Sequence, residues 1–299
     1  MDNIFTRLHK EHCYSIALRP KGEKLLFEGN RTAFRVLPIT RDVWYADPML
    51  FAWNGVEYLF CEAYDRNADY GYIAVTELDS DTPKTPRKVL DIGQHLSYPC
   101  VFERNGQIYM IPETTTQKNV QLFRATKFPD EWEFVAELEK DNEFADSTYF
   151  QIDNQAFLLL FEQYCGNGSI TKLSVCDAKE IDDGILTPFP SYEFTFSEDS
   201  RGAGNVFQHN GKLIRPAQIC TPDYGYGLKF MEISLVDNIY EEQPIGAVCP
   251  EELEFEFSKP VIGIHTYGIG QQYEVIDVKF NDPKLKHQLK RIWRRIVRK

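Results

Sequence analysis

YADPMLFAWNGVEYLFCEAYD, residues 45–65, opens on Asp-Pro, turns at Asn54-Gly55 and carries Glu62 near its end. Asn-Gly between alternating apolar runs is a strong hairpin signal, because both turn residues must take positive φ. The same hairpin recurs down the chain. Aligned on Phe51, Phe102, Phe150, Phe207 and Tyr267, its copies stand 51, 48, 57 and 60 residues apart. Asn-Gly follows the aromatic at 54–55, 105–106 and 210–211, and Asp153-Asn154 replaces it in the third copy. Further strand-like sequence follows each hairpin, as in YGYIAVTEL, VQLFRATKF and YGLKFMEISL. About four strands per repeat, at a period near 50, is the pattern of propeller blades.

The copies occupy residues 40–280, and the fifth is short of outer strands. Residues 12–38 offer CYSIALRP, EKLLFEG and AFRVLP to complete it. The sequence therefore predicts an all-β, five-bladed β-propeller over residues 1–281, closed by its N-terminal strands. A basic amphipathic helix is predicted over residues 282–299. A β-sandwich is the alternative, disfavoured because its strands need not repeat at this register.

Composition narrows the function. The 21 Phe and 16 Tyr among 299 residues suit a pleated surface. The net charge of −12 conceals an asymmetry: KLKHQLKRIWRRIVRK (284–299) is basic throughout, so the body is strongly acidic. An acidic body argues against nucleic acid as the main partner. No run approaches the roughly 20 apolar residues of a membrane span, and MDNIFTRLHKEHCYS lacks the apolar core of a signal peptide. Seven irregularly spaced cysteines form neither a disulfide framework nor a CxxC metal site. A reducing, cytoplasmic setting is expected. On a helix the tail's apolar residues form one stripe, so Leu289, Trp293, Arg294 and Ile296 are expected to dock an anionic membrane surface, on the inner face of the membrane.

The first strand of a propeller blade lines the central channel. Asp47, Tyr98, Asp146 and Ala203 share one position, at the start of that strand in blades one to four. The second strand of each hairpin ends at Glu62, Glu113, Glu162 and Gln218. Carboxylates from several blades can thus converge on one pocket. Asp47 and Asp146 together point to function, since two such groups repel unless something needs them. Arg201 in SRGAGNVF and Arg215 in LIRPAQ could hold phosphate bidentately. Tyr98, Tyr224 and Tyr226 could stack on a sugar. Asp79-Ser80-Asp81 matches a metal-binding DxD but reads as a turn.

WYADPMLF, LSYPCVF, MIPETT, ADSTYF, RPAQ and YGYGLKF resemble the N-terminal domain of plant glucosamine inositolphosphorylceramide transferases and its bacterial relatives. The resemblance covers most of residues 38–280. That domain is similar in fold to five-bladed propeller arabinanases, xylosidases and invertases. The likeness implies that Asp47 is base or nucleophile, and that Asp146 stabilises positive charge at the anomeric carbon. Glu113 would position or protonate, although those hydrolases take their acid from a later blade. His265 falls where some of them keep a metal-linked or water-linked axial histidine. The expected function is a glycosyltransferase of cell-surface polysaccharide or glycolipid assembly. An activated, nucleotide-linked sugar is the expected donor, and a glycan or lipid the acceptor. No cofactor is called for beyond a divalent metal ion that the axis could hold. The alternatives are an intracellular glycosidase or phosphorylase, and a non-catalytic glycan-binding or scaffold propeller.

Overall fold

The computed structural model describes residues 11–78, 83–152, 155–163, 170–189, 195–198, 201–236, 239–284, 286, 287, 289 and 293. The Asn-Gly pairs turn as their sequence requires, with φ of 49° and 79° at Asn54 and Gly55, 51° and 74° at Asn105 and Gly106, and 49° and 75° at Asn210 and Gly211. Each turn joins an inner strand to its neighbour: Val43–Trp53 to Val56–Asp65, Ser97–Arg104 to Gln107–Glu113, and Phe207–His209 to Lys212–Ile219. The third blade pairs Phe144–Ile152 with Gln155–Gln163 in the same way. Tyr70–Glu77 and Arg87–Leu90 complete the first blade, and Asn119–Lys127 and Glu131–Lys140 complete the second.

The described strands form five sheets, and these are the five blades of an all-β propeller. Five apolar cores fill the spaces between neighbours. Met49 and Phe60 of the first blade meet Val101 and Met110 of the second. Phe102 and Ile111 meet Tyr149 and Leu158, while Phe157 and Leu159 meet Leu213 and Ile233. Because both of its faces are covered, the inner strand Val43–Trp53 is buried on successive residues through its middle.

The fifth blade closes the ring. Its order is Phe255–Glu256, Phe34–Val36, His12–Pro20, Tyr273–Asn281 and Tyr267–Ile269. His12–Pro20 pairs with Tyr273–Asn281 along nine consecutive residues, so CYSIALRP and AFRVLP are closing strands. EKLLFEG is not one. It folds as a 3-10 turn, Leu26–Glu28, in which Glu28 accepts the Leu25 N–H at 2.8 Å and Gly29 leaves at φ 90°. The closure is stapled by a buried pair. Arg19 Nε donates to Glu274 Oε2 at 2.9 Å, and Arg19 Nη1 donates to Thr32 O at 2.8 Å. The Leu26 N–H and the Tyr267 hydroxyl supply Glu274 Oε1, at 2.9 and 2.6 Å.

The predicted C-terminal helix lies mostly outside the described residues. In the tail Lys286, His287, Leu289 and Trp293 have helical geometry, and no run of seven or more described residues supports the predicted helix. His287 is drawn onto the body by Asp42, at 3.0 Å. Leu289 and Trp293 are 55% and 64% exposed. Arg294 and Ile296 lie outside the described residues, as does Asp79-Ser80-Asp81.

Removing one partner of the closure pair leaves a buried charge uncompensated. Glu274→Ala should therefore lose about 3–5 kcal/mol of stability, read from urea unfolding. A loss below about 1 kcal/mol, the scale of an exposed pair, would deny the pair this role.

Candidate active site

Asp47, Tyr98 and Asp146 have φ of 51°, 44° and 47°. Left-handed backbone is uncommon outside glycine, and here it recurs at one position in three successive blades. The cause is a shared irregularity. The inner ladders slip between Ala46 and Met49, between Ser97 and Cys100, and between Ala145 and Thr148. A bulge of this kind re-aims a side chain. The three side chains are accordingly buried together at one end of the ring.

Asp47 joins the fifth blade. Its Oδ2 accepts the Tyr98 N–H at 3.1 Å, and its Oδ1 accepts the Thr266 hydroxyl at 2.9 Å. Asp277 Oδ2 accepts the Asp47 N–H at 3.1 Å, while Oδ1 accepts the N–H groups of His265 and Thr266 at 2.9 and 3.0 Å. The His265 ring stands between the two carboxylates, with Nδ1 2.6 Å from Asp277 and Nε2 3.4 Å from Asp47. Burial disfavours the imidazolium, but Asp277 and then Asp47 outweigh it and raise His265 above its ordinary range. Burial likewise works against the Asp277 anion, yet His265 and the backbone donors hold it low. For Asp47 burial wins and the carboxyl is raised, with His265 opposing.

Asp146 forms the opposite half of the site. Arg201 pairs with both of its oxygens and, through Nη2, with Glu113 Oε2 at 3.0 Å. Gln218 Nε2 donates to Asp146 Oδ2 at 3.0 Å and to Gly202 O at 2.8 Å. The Asp146 N–H donates to Glu113 Oε2 at 3.1 Å. The two acids thus share one guanidinium. Burial raises Asp146, with Arg201 opposing and Glu113 adding to it, while Arg201 overcomes burial to hold Glu113 low. Gly202 is required here, because a Cβ would come within 2.8 Å of Asp146 O and 3.0 Å of the Tyr98 hydroxyl. The Tyr98 hydroxyl also bonds Thr148 and the backbone of Gly204, which locks the second, third and fourth blades together.

Glu62 lies beside these groups without their satisfaction. It is 5% exposed, and its Oε1 is a buried oxygen with no hydrogen-bond partner. Burial raises its carboxyl well above the ordinary range, and Asp47, Glu113, Asp277 and Asp146 add to the rise. His95 Nε2 is 3.7 Å from that oxygen. Because His95 Nδ1 accepts the Gly71 N–H at 2.8 Å, a neutral His95 carries its proton on Nε2, facing Glu62. Burial holds His95 low and therefore neutral.

Three expected site residues lie elsewhere. Glu162 stands opposite Phe144, one step beyond the register of Glu62 opposite Ala46. A one-residue slip reverses the face of a strand residue, and Glu162 pairs instead with Lys172 at 3.5 Å. Arg215 is fully buried within the fourth blade, where Glu242 takes its Nε and Nη2 at 2.7 and 2.6 Å. Tyr226 turns outward to Glu251. Tyr224 does reach the site, edge-on to His265 and 5.1 Å beneath the Arg201 guanidinium.

Sequence reading missed Asp277, Thr266 and His95. Asp277 had a signal, a carboxylate in the second strand of a repeat hairpin, like Glu62 and Glu113. It also missed an aromatic run at this end of the ring. Tyr14 lies 4.8 Å from His265 and 5.2 Å from Trp44, which stacks on Tyr64 at 4.5 Å. Trp44 and Tyr64 line a cavity of about 230 Å³ with Arg66 and Asp69.

Asp47, His265 and Asp277 offer three potential metal ligands. They do not suit an ion as they stand. The 2.6 Å contact of His265 with Asp277 is a hydrogen-bond distance, and each carboxylate oxygen already accepts a protein donor. The triad is closed on itself, with the His265 ring between the two carboxylates.

The model of a family described as glucosamine inositolphosphorylceramide transferase 1, N-terminal, matches residues 40–278. The chain belongs to that family. Glucosamine inositolphosphorylceramide transferase 1 of Oryza sativa subsp. indica is 34% identical over 212 residues, and that of Arabidopsis thaliana is 29% identical over 216. These matches cover 67% and 70% of this chain but 28% of each relative, so the chain spans little more than a quarter of their length. Among solved structures, an α-L-arabinofuranosidase from Clostridium thermocellum superposes with a TM-score of 0.53 at 14% identity, covering 76% of this chain and 78% of its own. A β-fructofuranosidase of Bombyx mori gives 0.53 at 12%, covering 71% and 53%. These two share the fold.

The raised Glu62 carboxyl makes a prediction with a definite sign. A folded state that holds the proton more tightly than the unfolded chain gains stability that is complete below the ordinary Glu value. That gain is lost as pH rises toward the folded value, by up to about 1.4 kcal/mol per pH unit. Glu62→Gln should therefore gain on the wild type between about pH 5 and pH 8, measured by urea unfolding at both values. An equal difference at the two values would refute the raised carboxyl.

Proposed function

We propose that the chain serves glycosyl transfer in glycolipid or cell-surface polysaccharide assembly, with the carboxylate cluster at the propeller axis as its sugar site. The observation that carries this reading is the placement of Asp47 and Asp146 in matching left-handed bulges, each held by its own cation. Evolving positive charge at an anomeric carbon needs fixed carboxylates at close quarters. The names of the curated relatives support transfer to an inositolphosphorylceramide, and hence a glycolipid acceptor.

In this reading Asp47, with its oxygens oriented by Thr266 and Tyr98, is the base toward an acceptor hydroxyl. Asp146 stabilises the charged sugar ring from the other side. Glu113 positions: it supplies Arg201 and the Asp146 backbone, and its low carboxyl makes it a poor acid. Tyr224 and the run from Tyr14 to Tyr64 provide apolar faces for a sugar and its aglycone. The exposed Leu289 and Trp293, beside a basic tail, would bring the site to an anionic membrane on the cytoplasmic side. Arg201 and Arg215 are both spent on carboxylates, which weakens the case for either as a phosphate clamp.

A donor screen tests the reading. Purified chain and Asp47→Asn are incubated with sugar nucleotides and with aryl glycosides, each with and without a membrane-lipid extract. Sugar should appear on lipid with the wild type and fall by roughly 10²-fold or more in the variant, the scale of general-base catalysis. Equal transfer by both proteins would remove Asp47 from the chemistry, and no transfer by either would leave the propeller as a binding module.

A further inference from the structure

Among the described residues Glu62 is the one acid of the cluster with a buried oxygen, Oε1, that has no hydrogen-bond partner. Building it costs the fold. Gly71 must lack a side chain, because a Cβ there would stand 2.5 Å from Glu62 Oε1 and 2.7 Å from Leu96 O. A buried, unsatisfied acid within a cluster of carboxylates is stable with its proton on. The groups facing it are Asp47 of the first blade, Glu113 of the second, Asp146 of the third and Asp277 of the fifth, with Tyr14 and the neutral His95.

We propose that Glu62 is the proton donor of the axis site, and that the sugar processed there leaves from a glycosidic oxygen rather than from a phosphate. The inference rests on the glycosyl-transfer reading and specifies its donor class. An alkoxide leaving group requires a proton as its bond to the anomeric carbon breaks, whereas a diphosphate requires cations. The cations nearest the cluster are engaged among the described residues: Arg201 with Asp146 and Glu113, Arg215 with Glu242, and Lys279 with Asp223. A diphosphate would add negative charge to a site already rich in acids.

The step balances. The C–O bond breaks with its electron pair passing to the leaving oxygen, which takes the Glu62 proton. The acceptor hydroxyl attacks the anomeric carbon and yields its proton to Asp47. Glu62 becomes the anion as Asp47 is neutralised, so the charge of the cluster is unchanged. The His95 Nε2–H, 3.7 Å from Glu62 Oε1, can close to a hydrogen bond with the new carboxylate. His95 is thus a positioning residue.

The test compares the wild-type chain, Glu62→Gln and His95→Gln on phenyl and dinitrophenyl glycosides of several sugars, with sugar nucleotides in parallel. Phenyl leaving groups need the acid and dinitrophenyl groups scarcely do. Glu62→Gln should lower kcat/KM on phenyl glycosides by roughly 10²-fold or more, leave dinitrophenyl glycosides within about tenfold, and erase the alkaline limb of the pH profile. His95→Gln should move that limb to higher pH. Difference infrared spectra of wild type against Glu62→Gln at pH 7 should show a protonated carboxyl, independently of any substrate. Equal losses on both glycosides, or an ionised Glu62 in the spectra, would overturn the proposal. Transfer from sugar nucleotides alone, undiminished in Glu62→Gln, would overturn the donor class while sparing the transfer reading. Inactivity of the wild type on every donor would overturn the transfer reading first, and this inference with it.

Discussion

Asp277 accepts three backbone N–H groups, one from Asp47 in the first blade and two from His265 and Thr266 in its own. A buried carboxylate with that many donors is strongly held as an anion. It sits on Tyr273–Asn281, the strand to which the N-terminal segment must pair before the ring can close. The carboxylate that aligns Asp47 and His265 is therefore on the seam of the propeller. Closure and assembly of the site are one event.

The same economy governs the other side. Arg201 holds Asp146 and Glu113 together, Gln218 ties Asp146 to the backbone of Gly202, and the Tyr98 hydroxyl binds three blades at one point. Each half of the site has one cation for two acids. Mutual repulsion is contained by fixed donors rather than by solvent, the preorganisation on which the proposed glycosyl transfer depends. Glu62 stands outside both halves. Its Oε1 has no hydrogen-bond partner, whereas the oxygens of Asp277 and Asp146 accept protein donors, and that difference sets Glu62 apart within the cluster.

Such a centre is acidic where a sugar nucleotide would call for bases. The relatives that share the family extend far beyond the residues matched here, so their transfer chemistry has other sequence in which to reside. With the α-L-arabinofuranosidase and the β-fructofuranosidase the chain shares its fold.

Much of this was legible from residue order. Asn54-Gly55 and its repeats set the hairpins, because few other pairs tolerate that turn, and a period near 50 set the blades. Asp47, Tyr98 and Asp146 were traceable as one recurrent position, since a repeated hairpin carries a fixed register. Only the tertiary structure decided what that position does. The bulges that rotate those side chains inward are slips between strands, invisible to spacing along a single strand. The slip that turns Glu162 away is of the same kind. Arg215 and Arg201 look alike in sequence, yet one is consumed by Glu242 inside a blade and the other bridges the site. EKLLFEG has the composition of a strand but turns, because Glu28 caps its own backbone. Charge pairing, tautomer and protonation depend on which blades face each other across the axis, and distance through space fixes that.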